Sequence, residues 1–236
     1  MRSAMRSAFC AVCGAGTCAG GCAACWMWHR ATRPTGRFSR EGVELVGIDR
    51  SPTMIAAGRA ESRGLGGIRF YRRPIRNFRI PERPFDAAIF MSETFPVMTD
   101  NRQILTHLRC VGRMLRRGGL YCIDIDRMDA VRSRAVWQHR TLRVGDARVE
   151  VRALSRPMPW HSGIHSMFEL ECKIRFPERL VATRDIVPVR YTLPCTLDLL
   201  ARASGVFTMI ASYTDLSFTT PLEKCDRRWL GVLRRI

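Results

Sequence analysis

The chain has almost no lysine, and this absence bears on what it binds. Lys173 and Lys224 are the only lysines among 39 basic residues, so the formal charge of +18 comes almost entirely from arginine. The arginines are scattered along the chain, whereas a nucleic-acid-binding face or tail is expected to concentrate them. RNA or DNA therefore ranks below a small molecule as substrate, although loose attraction to polyanions is expected.

Long hydrophobic runs are also missing. No stretch reaches the roughly 18 apolar residues of a membrane-spanning helix. The amino terminus, MRSAMRSAFCAVCGAG, is too interrupted by glycine and cysteine for a signal peptide. These absences predict a cytoplasmic protein with no membrane partner. A chain of 236 residues can hold one sizeable core, most simply one domain with an embellishment.

The first forty residues lack the apolar strand that an α/β domain needs, and they are rich in cysteine instead. Two C-x-x-C pairs, Cys10/Cys13 and Cys22/Cys25, have the composition of a thiolate zinc site. The loop of eight residues between the pairs is short, and its surroundings are mostly alanine and glycine, so we expect no metal. The segment is better interpreted as a diverged, truncated or frame-shifted start of a domain.

The most informative segment that is present reads GVELVGIDRSP, from Gly42 to Pro52. Its apolar run predicts a short buried strand that ends in Asp49, with Ser51 capping the next helix and Pro52 at the first helical position. Ligands bind at the carboxyl ends of strands in open α/β sheets, and an acid there suits the hydroxyls of a ribose. The segment predicts a nucleotide-like cofactor, and the alternative is a strand-to-helix turn with a solvated aspartate.

Two further segments continue the alternation of strand and helix. Residues 83–95, RPFDAAIFMSETF, predict a buried strand with a small polar end. Residues 105–126, LTHLRCVGRMLRRGGLYCIDID, predict a helix and then a strand from Leu120 to Ile125. In this interpretation Arg116 and Arg117 lie in the last helical turn and Gly118 is the C-cap.

In this order, the three segments resemble the class I S-adenosylmethionine-dependent methyltransferases over residues 42–126. The resemblance implies an α/β fold: a Rossmann-like, mostly parallel, doubly wound sheet with an inserted antiparallel β meander. It also implies S-adenosyl-L-methionine as cofactor, with Asp49 on the ribose, and Met54 and Ile75 against the adenine. Pro74 stands where the family commonly has an acid that accepts from the adenine amino group. The implied cofactor-binding positions are Gly14, Gly16, Asp49, Arg50, Met54, Pro74, Ile75 and Met91.

The glycine-rich loop of this family has two imperfect counterparts. Cys13-Gly14-Ala15-Gly16-Thr17 resembles its C-G-x-G-x core, but Cys10 replaces the expected acid and the interval to Asp49 is long. The second counterpart, residues 35–38, lies too close to Asp49 for a full helix between them.

The carboxy-terminal half changes to a period of two. Residues 137–151 predict a hairpin around Gly145-Asp146, and residues 168–176 predict a half-buried strand. A helix capped by Thr192 and ended by Gly205 should follow, and then strands at 207–213 and 229–233. This order resembles small-molecule methyltransferases of the glycine or amino-sugar N-methyltransferase type, in which the meander covers the active site or joins subunits. The resemblance implies a core of residues 41–127 and 190–236, preceded by an atypical segment of residues 1–40. The insert of residues 128–189 is then expected to be a lid over the active site or the dimerisation surface of a homodimer.

Methyl transfer to nitrogen or oxygen is an in-line displacement that depends mainly on positioning and desolvation, with a base needed only to remove a proton. Ser92 and Glu93 follow the strand that presents the methyl group in this family, so they are the catalytic candidates. His161 and His165, predicted in a loop, are weaker candidates for the base. Arg190 and Tyr191 are candidates for lining the acceptor site, and His107 is predicted to be packed or solvated rather than catalytic.

The function predicted from the sequence is S-adenosylmethionine-dependent methyl transfer to a nitrogen or oxygen of a small molecule. The imperfect glycine loop and Pro74 leave open a methyltransferase-like binding or scaffold protein with impaired catalysis. A methyltransferase acting on RNA or DNA is a third alternative, and only the charge favours it.

Overall fold

The computed structural model describes residues 23–27, 43–81, 84–90, 95–126, 138–157, 164–214, 222 and 228–236. The helices are α1 (Pro52–Glu61), α2 (Asn101–Met114) and α3 (Pro194–Ser204), and a 3-10 helix spans Phe95–Val97. The strands are β1 (Ala23–Met27), β2 (Glu44–Asp49), β3 (Ile68–Arg72), β4 (Phe85–Phe90), β5 (Leu115–Asp126), β6 (Gln138–Val144), β7 (Ala147–Pro157), β8 (His165–Arg175), β9 (Leu180–Arg190), β10 (Phe207–Tyr213) and β11 (Arg228–Arg235).

Seven strands form the main sheet, in the order β10-β11-β5-β4-β1-β2-β3. Strands β1, β2, β3, β4 and β5 run parallel to one another. Strand β11 runs antiparallel to both of its neighbours, β5 and β10. This is the mixed α/β, Rossmann-like sheet that the sequence predicts. The strand order reverses at β1, because β2 and β3 follow on one side of it and β4 and β5 on the other.

The position of β1 corrects one expectation from the sequence. This strand, A-A-C-W-M, lies in the amino-terminal segment in which the sequence shows no apolar strand. It pairs with β2 on one side and β4 on the other, and both of these neighbours are largely buried. All five residues of this strand are apolar, but three of them are small, and the stretch is only five residues long within an alanine-, glycine- and cysteine-rich segment.

Helices α2 and α3 cover one face of this sheet. α2 buries Ile104, Leu108 and Val111, which lie three or four residues apart and therefore share one helical face. α3 adds Leu197 and Leu200 to the same core cluster. Since burying one such side chain contributes about 1.5–3 kcal/mol, this cluster is a main source of the stability of the domain.

Helix α1 packs closely on β2 and β3 around the ring of Phe70. A β-carbon added at Gly47 would lie 2.5 Å from this ring, and one added at Gly58 would lie 2.7 Å from it. Both positions therefore require glycine for steric reasons. Ser51 caps α1 by accepting the N–H of Met54 at 3.3 Å, and Pro52 is the first helical residue, as predicted.

Two predicted helix ends are wrong. α2 ends at Met114, so Arg116 and Arg117 lie in β5, and Gly118 (φ 74°) does not cap the helix. The reason is that Leu115 already pairs with Phe85 of β4 and is fully buried. A bulge then accommodates the R-R-G-G segment, because β5 advances five residues between pairings while β4 advances two.

At the start of α3, Thr192 does not cap the helix. Leu193 occupies that position with no side-chain bond, and Thr192 is buried, with 3% of its surface exposed. The predicted end is confirmed, since Gly205 adopts the left-handed conformation at φ 73°.

The other four strands form an antiparallel sheet in the order β6-β7-β8-β9. The predicted turn at Gly145 joins β6 to β7. Side chains that pair across antiparallel strands point to the same face. On one side, the apolar face, the paired row consists of Leu142, Val149, Ile174 and Val181. On the other side, the charged face, His139, Arg152, Glu171 and Arg184 form a row.

Glu169 is a buried carboxylate on the charged face. Only 3% of its surface is exposed, and its carboxylate pairs with Arg184 of β9 and, at 3.4 Å, with Arg156 of β7. Arg152 reaches Glu171 at 3.3 Å in the same network. These ion pairs connect three of the four strands.

In the described part of the chain, none of the helices is both long and apolar enough for a membrane span.

Candidate active site

The reversal of strand order at β1 creates the position at which parallel α/β sheets bind ligands. The two strands beside β1 run parallel to it, with Met27 of β1 in register with Ile48 of β2 and Phe90 of β4. The carboxyl ends of these strands therefore meet at one edge of the sheet, and the connections after β1 and β4 diverge there. The candidate site consists of the residues at this edge.

Asp49 is the last residue of β2 and lies at this edge, as the sequence predicts. It is buried, with 7% of its surface exposed, and its Oδ1 accepts the backbone N–H of Ser51 at 2.7 Å. Its backbone carbonyl accepts the N–H of Arg73 at 2.9 Å, which ties β2 to the segment after β3. A carboxylate can accept several hydrogen bonds at once, so the bond to Ser51 is compatible with hydroxyl donors from a sugar.

The other described candidates for the cofactor lie beside Asp49. Met54 is half-buried on the first turn of α1, and Arg50 is exposed. After β3, Pro74 is exposed, whereas Ile75 is half-buried and packs against the core cluster. The structure thus brings Asp49, Met54 and the loop after β3 to one region, in which an apolar side chain follows the exposed Pro74.

A buried histidine lies beneath this loop. His107 of α2 is fully buried, and its Nδ1 lies 2.6 Å from the carbonyl oxygen of Ile75. Its Nε2 lies 2.6 Å from the hydroxyl of Tyr121 on β5. Because a carbonyl can only accept, Nδ1 carries the proton and Nε2 accepts from the tyrosine hydroxyl. The sequence predicts a packed or solvated His107, and this burial shows that it is packed.

The histidine ring is enclosed by aromatic rings from several segments. Its centroid lies 5.3 Å from Phe90, 5.8 Å from Tyr121 and 6.2 Å from Phe95. Phe90 ends β4, and Phe95 begins the 3-10 helix that follows. Burial lowers the pKa of His107 from 6.5 to about 4, partly offset by the bond to Ile75. The side chain is therefore neutral at physiological pH.

His165 and Arg190, which pair across β8 and β9, hold the second sheet to the start of α2. His165 lies in β8 rather than in the predicted loop, and its Nε2 donates to the carbonyl of Thr99 at 2.9 Å. Arg190 donates to Oδ1 of Asn101 at 2.6 Å, and burial lowers its pKa against the opposing effect of Asp100. Both side chains therefore join the second sheet to the start of α2.

Tyr191, the remaining predicted acceptor-lining residue, is buried, and its hydroxyl lies 2.8 Å from Oγ of Ser155 on β7. The contact adds a link between the second sheet and the segment that leads into α3.

Several predicted residues lie outside the described residues, so the structure does not test them. These are Gly14, Gly16, Met91, Ser92, Glu93, His161 and the second glycine-loop counterpart at residues 35–38. The two C-x-x-C pairs, for which no metal is expected, fall mainly in the same part of the chain. Within the described ranges, no three His, Cys, Asp or Glu side chains lie together as a metal site requires.

Sequence reasoning missed two polar residues of β5. Tyr121 was not singled out, although a tyrosine among aliphatic residues in a buried strand signals a hydroxyl that needs a partner. Asp124 is fully buried near the carboxyl end of the same strand. Burial of an acid in a predicted core strand is the signal that could have identified it.

Residues 30–119 match the family described as "Methyltransferase domain", a range that contains Asp49, Pro74 and His107. No curated protein sequence matches the chain. An S-adenosylmethionine-dependent methyltransferase from Clostridium acetobutylicum superposes with a TM-score of 0.79 at 13% identity, with 98% of this chain and 89% of the other covered.

Two further solved structures are also similar. The CcbJ methyltransferase from Streptomyces caelestis gives a TM-score of 0.74 at 13% identity, covering 100% of this chain and 90% of its own. The sugar N-methyltransferase KedS8 from a Streptoalloteichus species gives 0.69 at 18% identity, covering 100% and 85%. At these identities the structural matches establish the shared fold.

Proposed function

We propose that the chain, whose residues 30–119 match a methyltransferase domain, is a class I S-adenosylmethionine-dependent methyltransferase that transfers the methyl group of that cofactor to a nitrogen or oxygen atom of a small molecule. The observation that carries the proposal is the buried carboxylate of Asp49 at the carboxyl end of β2, next to the reversal of strand order. A carboxylate in this position suits a ribose diol. The sugar N-methyltransferase among the similar structures favours nitrogen as the atom methylated.

The cofactor supplies an electrophilic methyl group on a sulfonium centre. In the proposed site Asp49 holds the ribose hydroxyls, Met54 and Ile75 pack against the adenine, and the loop with Gly14 and Gly16 approaches the cofactor through its backbone. Arg50, Pro74 and Met91 complete the proposed lining. Ser92 and Glu93, which follow β4, are the proposed groups that orient the acceptor, and Glu93 takes its proton.

Calorimetry with S-adenosylmethionine tests this assignment on Asp49→Asn. The amide oxygen can still accept the N–H of Ser51, so the variant removes the charge and keeps the turn. Loss of a charged contact costs about 1.5–3 kcal/mol, so we expect cofactor binding to weaken by one to two decades. The matched control is Glu44→Gln at the opposite end of β2, which pairs with Arg69 at 3.3 Å and should bind as the wild type does. Equal affinities of the two variants would contradict the role of Asp49.

Pro74 provides the one specific reason for a second candidate function, a methyltransferase-like binding or scaffold protein. Proline has neither a carboxylate nor an N–H for the adenine amino group and ring. The same calorimetry distinguishes the two functions, because a scaffold would bind no S-adenosylmethionine at millimolar concentration. Micromolar binding by the wild type favours the enzyme.

We also propose that the protein forms a homodimer through the apolar face of the second sheet. On this face Leu142, Phe168 and Val181 expose 46%, 36% and 39% of their surface. The opposite face of the same sheet carries the ion-pair network around Glu169. The charged face also exposes Ile186, but the apolar face carries a paired apolar row across all four strands, and such a row is stabilised when it packs against a second layer. A second copy of the chain offers the same face, and isologous contacts of this kind are the commonest in homo-oligomers.

A further inference from the structure

His107 makes contacts that extend beyond its own helix. Its ring contacts Ile75 after β3 and Tyr121 on β5. It also contacts Phe90, the last residue of β4, and Phe95, the first residue of the 3-10 helix. The loops after β3 and β4 are the connections at the carboxyl edge of the sheet. The histidine thus lies beneath both sides of the candidate site without being part of its surface.

We propose that His107 is a positioning residue for the cofactor: its Nδ1–H fixes the backbone of Ile75, while the hydroxyl of Tyr121 only satisfies Nε2. The proposal rests on the proposed function, because it assigns the loop after β3 to the adenine. A neutral histidine can donate from one nitrogen and accept at the other, so it can link a carbonyl to a tyrosine hydroxyl in one orientation only. That orientation determines where the carbonyl of Ile75 lies.

The surroundings of Ile75 explain why this bond matters. Pro74, Arg76 and Asn77 are exposed and contribute little packing, although Oδ1 of Asn77 accepts a weak hydrogen bond from Sγ of Cys110 at 3.5 Å. Phe78 and Ile80 are buried and anchor the loop further along the chain. The short hydrogen bond from His107, at 2.6 Å, is directed at the residue that is proposed to face the adenine.

Three variants separate positioning from general packing. In His107→Asn the amide nitrogen can occupy the place of Nδ1 and still donate to Ile75, while the contact with Tyr121 is lost. In His107→Gln the longer side chain brings its amide to the place of Nε2, so the contact with Tyr121 can persist and the one with Ile75 is lost. Tyr121→Phe removes the hydroxyl and leaves the bond between His107 and Ile75.

Affinity for S-adenosylmethionine, measured by calorimetry, is the first readout, and urea denaturation reports the stability of each variant. If His107 positions the loop, His107→Gln binds the cofactor about tenfold more weakly than the wild type, while His107→Asn and Tyr121→Phe stay within roughly threefold. If it only packs the core, affinity falls with stability in all three variants. Weak binding by a well-folded Tyr121→Phe would also overturn the proposal, and this test remains valid if His107→Gln does not fold.

Amide hydrogen exchange of residues 73–80 without cofactor is the second readout. Faster exchange there in His107→Gln than in Tyr121→Phe, at equal global stability, is the expected result. Equal exchange in the two variants contradicts the proposal. Because this measurement needs no cofactor, it still judges His107 when the wild type binds no S-adenosylmethionine, a result that would instead contradict the proposed function.

Discussion

His107 illustrates how one residue can make a fold sensitive to acid. Its pKa is lowered to about 4 in the folded protein, against 6.5 for an unperturbed histidine. Between these values the unfolded chain binds a proton that the folded chain does not, so stability falls as the pH drops from about 6.5 towards 4. Above pH 7 both states are neutral at this residue and it contributes no pH dependence.

Between pH 7 and pH 4, protonation of this residue should lower the free energy of unfolding by about 3 kcal/mol. The reason is that each tenfold difference in proton affinity between the folded and unfolded chain corresponds to about 1.4 kcal/mol. Urea denaturation at several pH values in this range measures the slope. Carboxylates add their own acid sensitivity, so the control is His107→Asn, which has no titratable group at this position. The wild type should lose more stability on acidification than this variant. Parallel slopes in the two proteins would show that His107 does not titrate as argued.

At the scale of single residues, the sequence predicted what depends on near neighbours in the chain. The roles of Asp49, Ser51 and Pro52 at a strand end and helix start follow from local capping, and the structure has them there. The pairing of His107 with Tyr121 joins residues 14 positions apart on different elements, and only the packed fold brings the two side chains together. The catalytic candidates Ser92 and Glu93 remain predictions.

At the scale of elements, the helix-to-strand connection before β5 shows how tertiary pairing overrides local signals. The sequence L-R-R-G-G-L has two cations and a glycine, which favour a helix end within it. Pairing of Leu115 with Phe85 ends α2 earlier. Burial of Leu115 and its strand pairing stabilise the fold more than capping interactions at Arg116, Arg117 and Gly118 would. Element types were therefore predictable here, and this boundary was not.

The second sheet allows a prediction about the charge network on β7, β8 and β9. The side chains of Arg156 and Arg184 are more than half exposed, whereas Glu169 is almost completely buried. Glu169→Gln should lower the free energy of unfolding by only about 1 kcal/mol, since both arginines can then be solvated. The double variant Arg156→Ala, Arg184→Ala should cost about 3 kcal/mol or more, because it leaves a buried carboxylate without its partners.

Free energies of unfolding from urea titration measure this asymmetry. The control is Arg202→Ala on α3, whose partner Asp198 lies at 3.0 Å on an exposed helix surface. Its effect should be below about 1 kcal/mol. A larger loss in Glu169→Gln than in the double arginine variant would contradict the argument that desolvation of the carboxylate decides the result.

At the scale of the whole molecule, the mostly parallel α/β class was predictable, because consecutive strand–helix motifs leave few possible topologies, whereas the central strand β1 was not. The second sheet was predicted from its alternating pattern, but the pattern does not say what covers an apolar face. Sequence alone therefore left the subunit count open, and the exposed row at Leu142 and Val181 is the reason to expect a dimer.

Size-exclusion chromatography with light scattering tests the homodimer. The wild type should elute as a dimer at tens of micromolar, and Val181→Asp on the apolar face should elute as a monomer. Ile186→Asp is the matched control, because Ile186 lies on the same strand but on the charged face and is 53% exposed. This control should remain dimeric. A monomeric wild type, or a dimeric Val181→Asp variant, would contradict the proposed interface.

The place of β11 in the main sheet has a consequence for biosynthesis. This strand follows all the others in the sequence, yet it lies between β5 and β10 and buries Trp229 and Leu233. A nascent chain that has emerged only as far as β10 therefore presents two unpaired strand edges, a form that invites association with other chains. The main sheet is complete only after residues 228–235 have left the ribosome. The unpaired edges of β5 and β10 therefore stay exposed to chaperones and other chains until then.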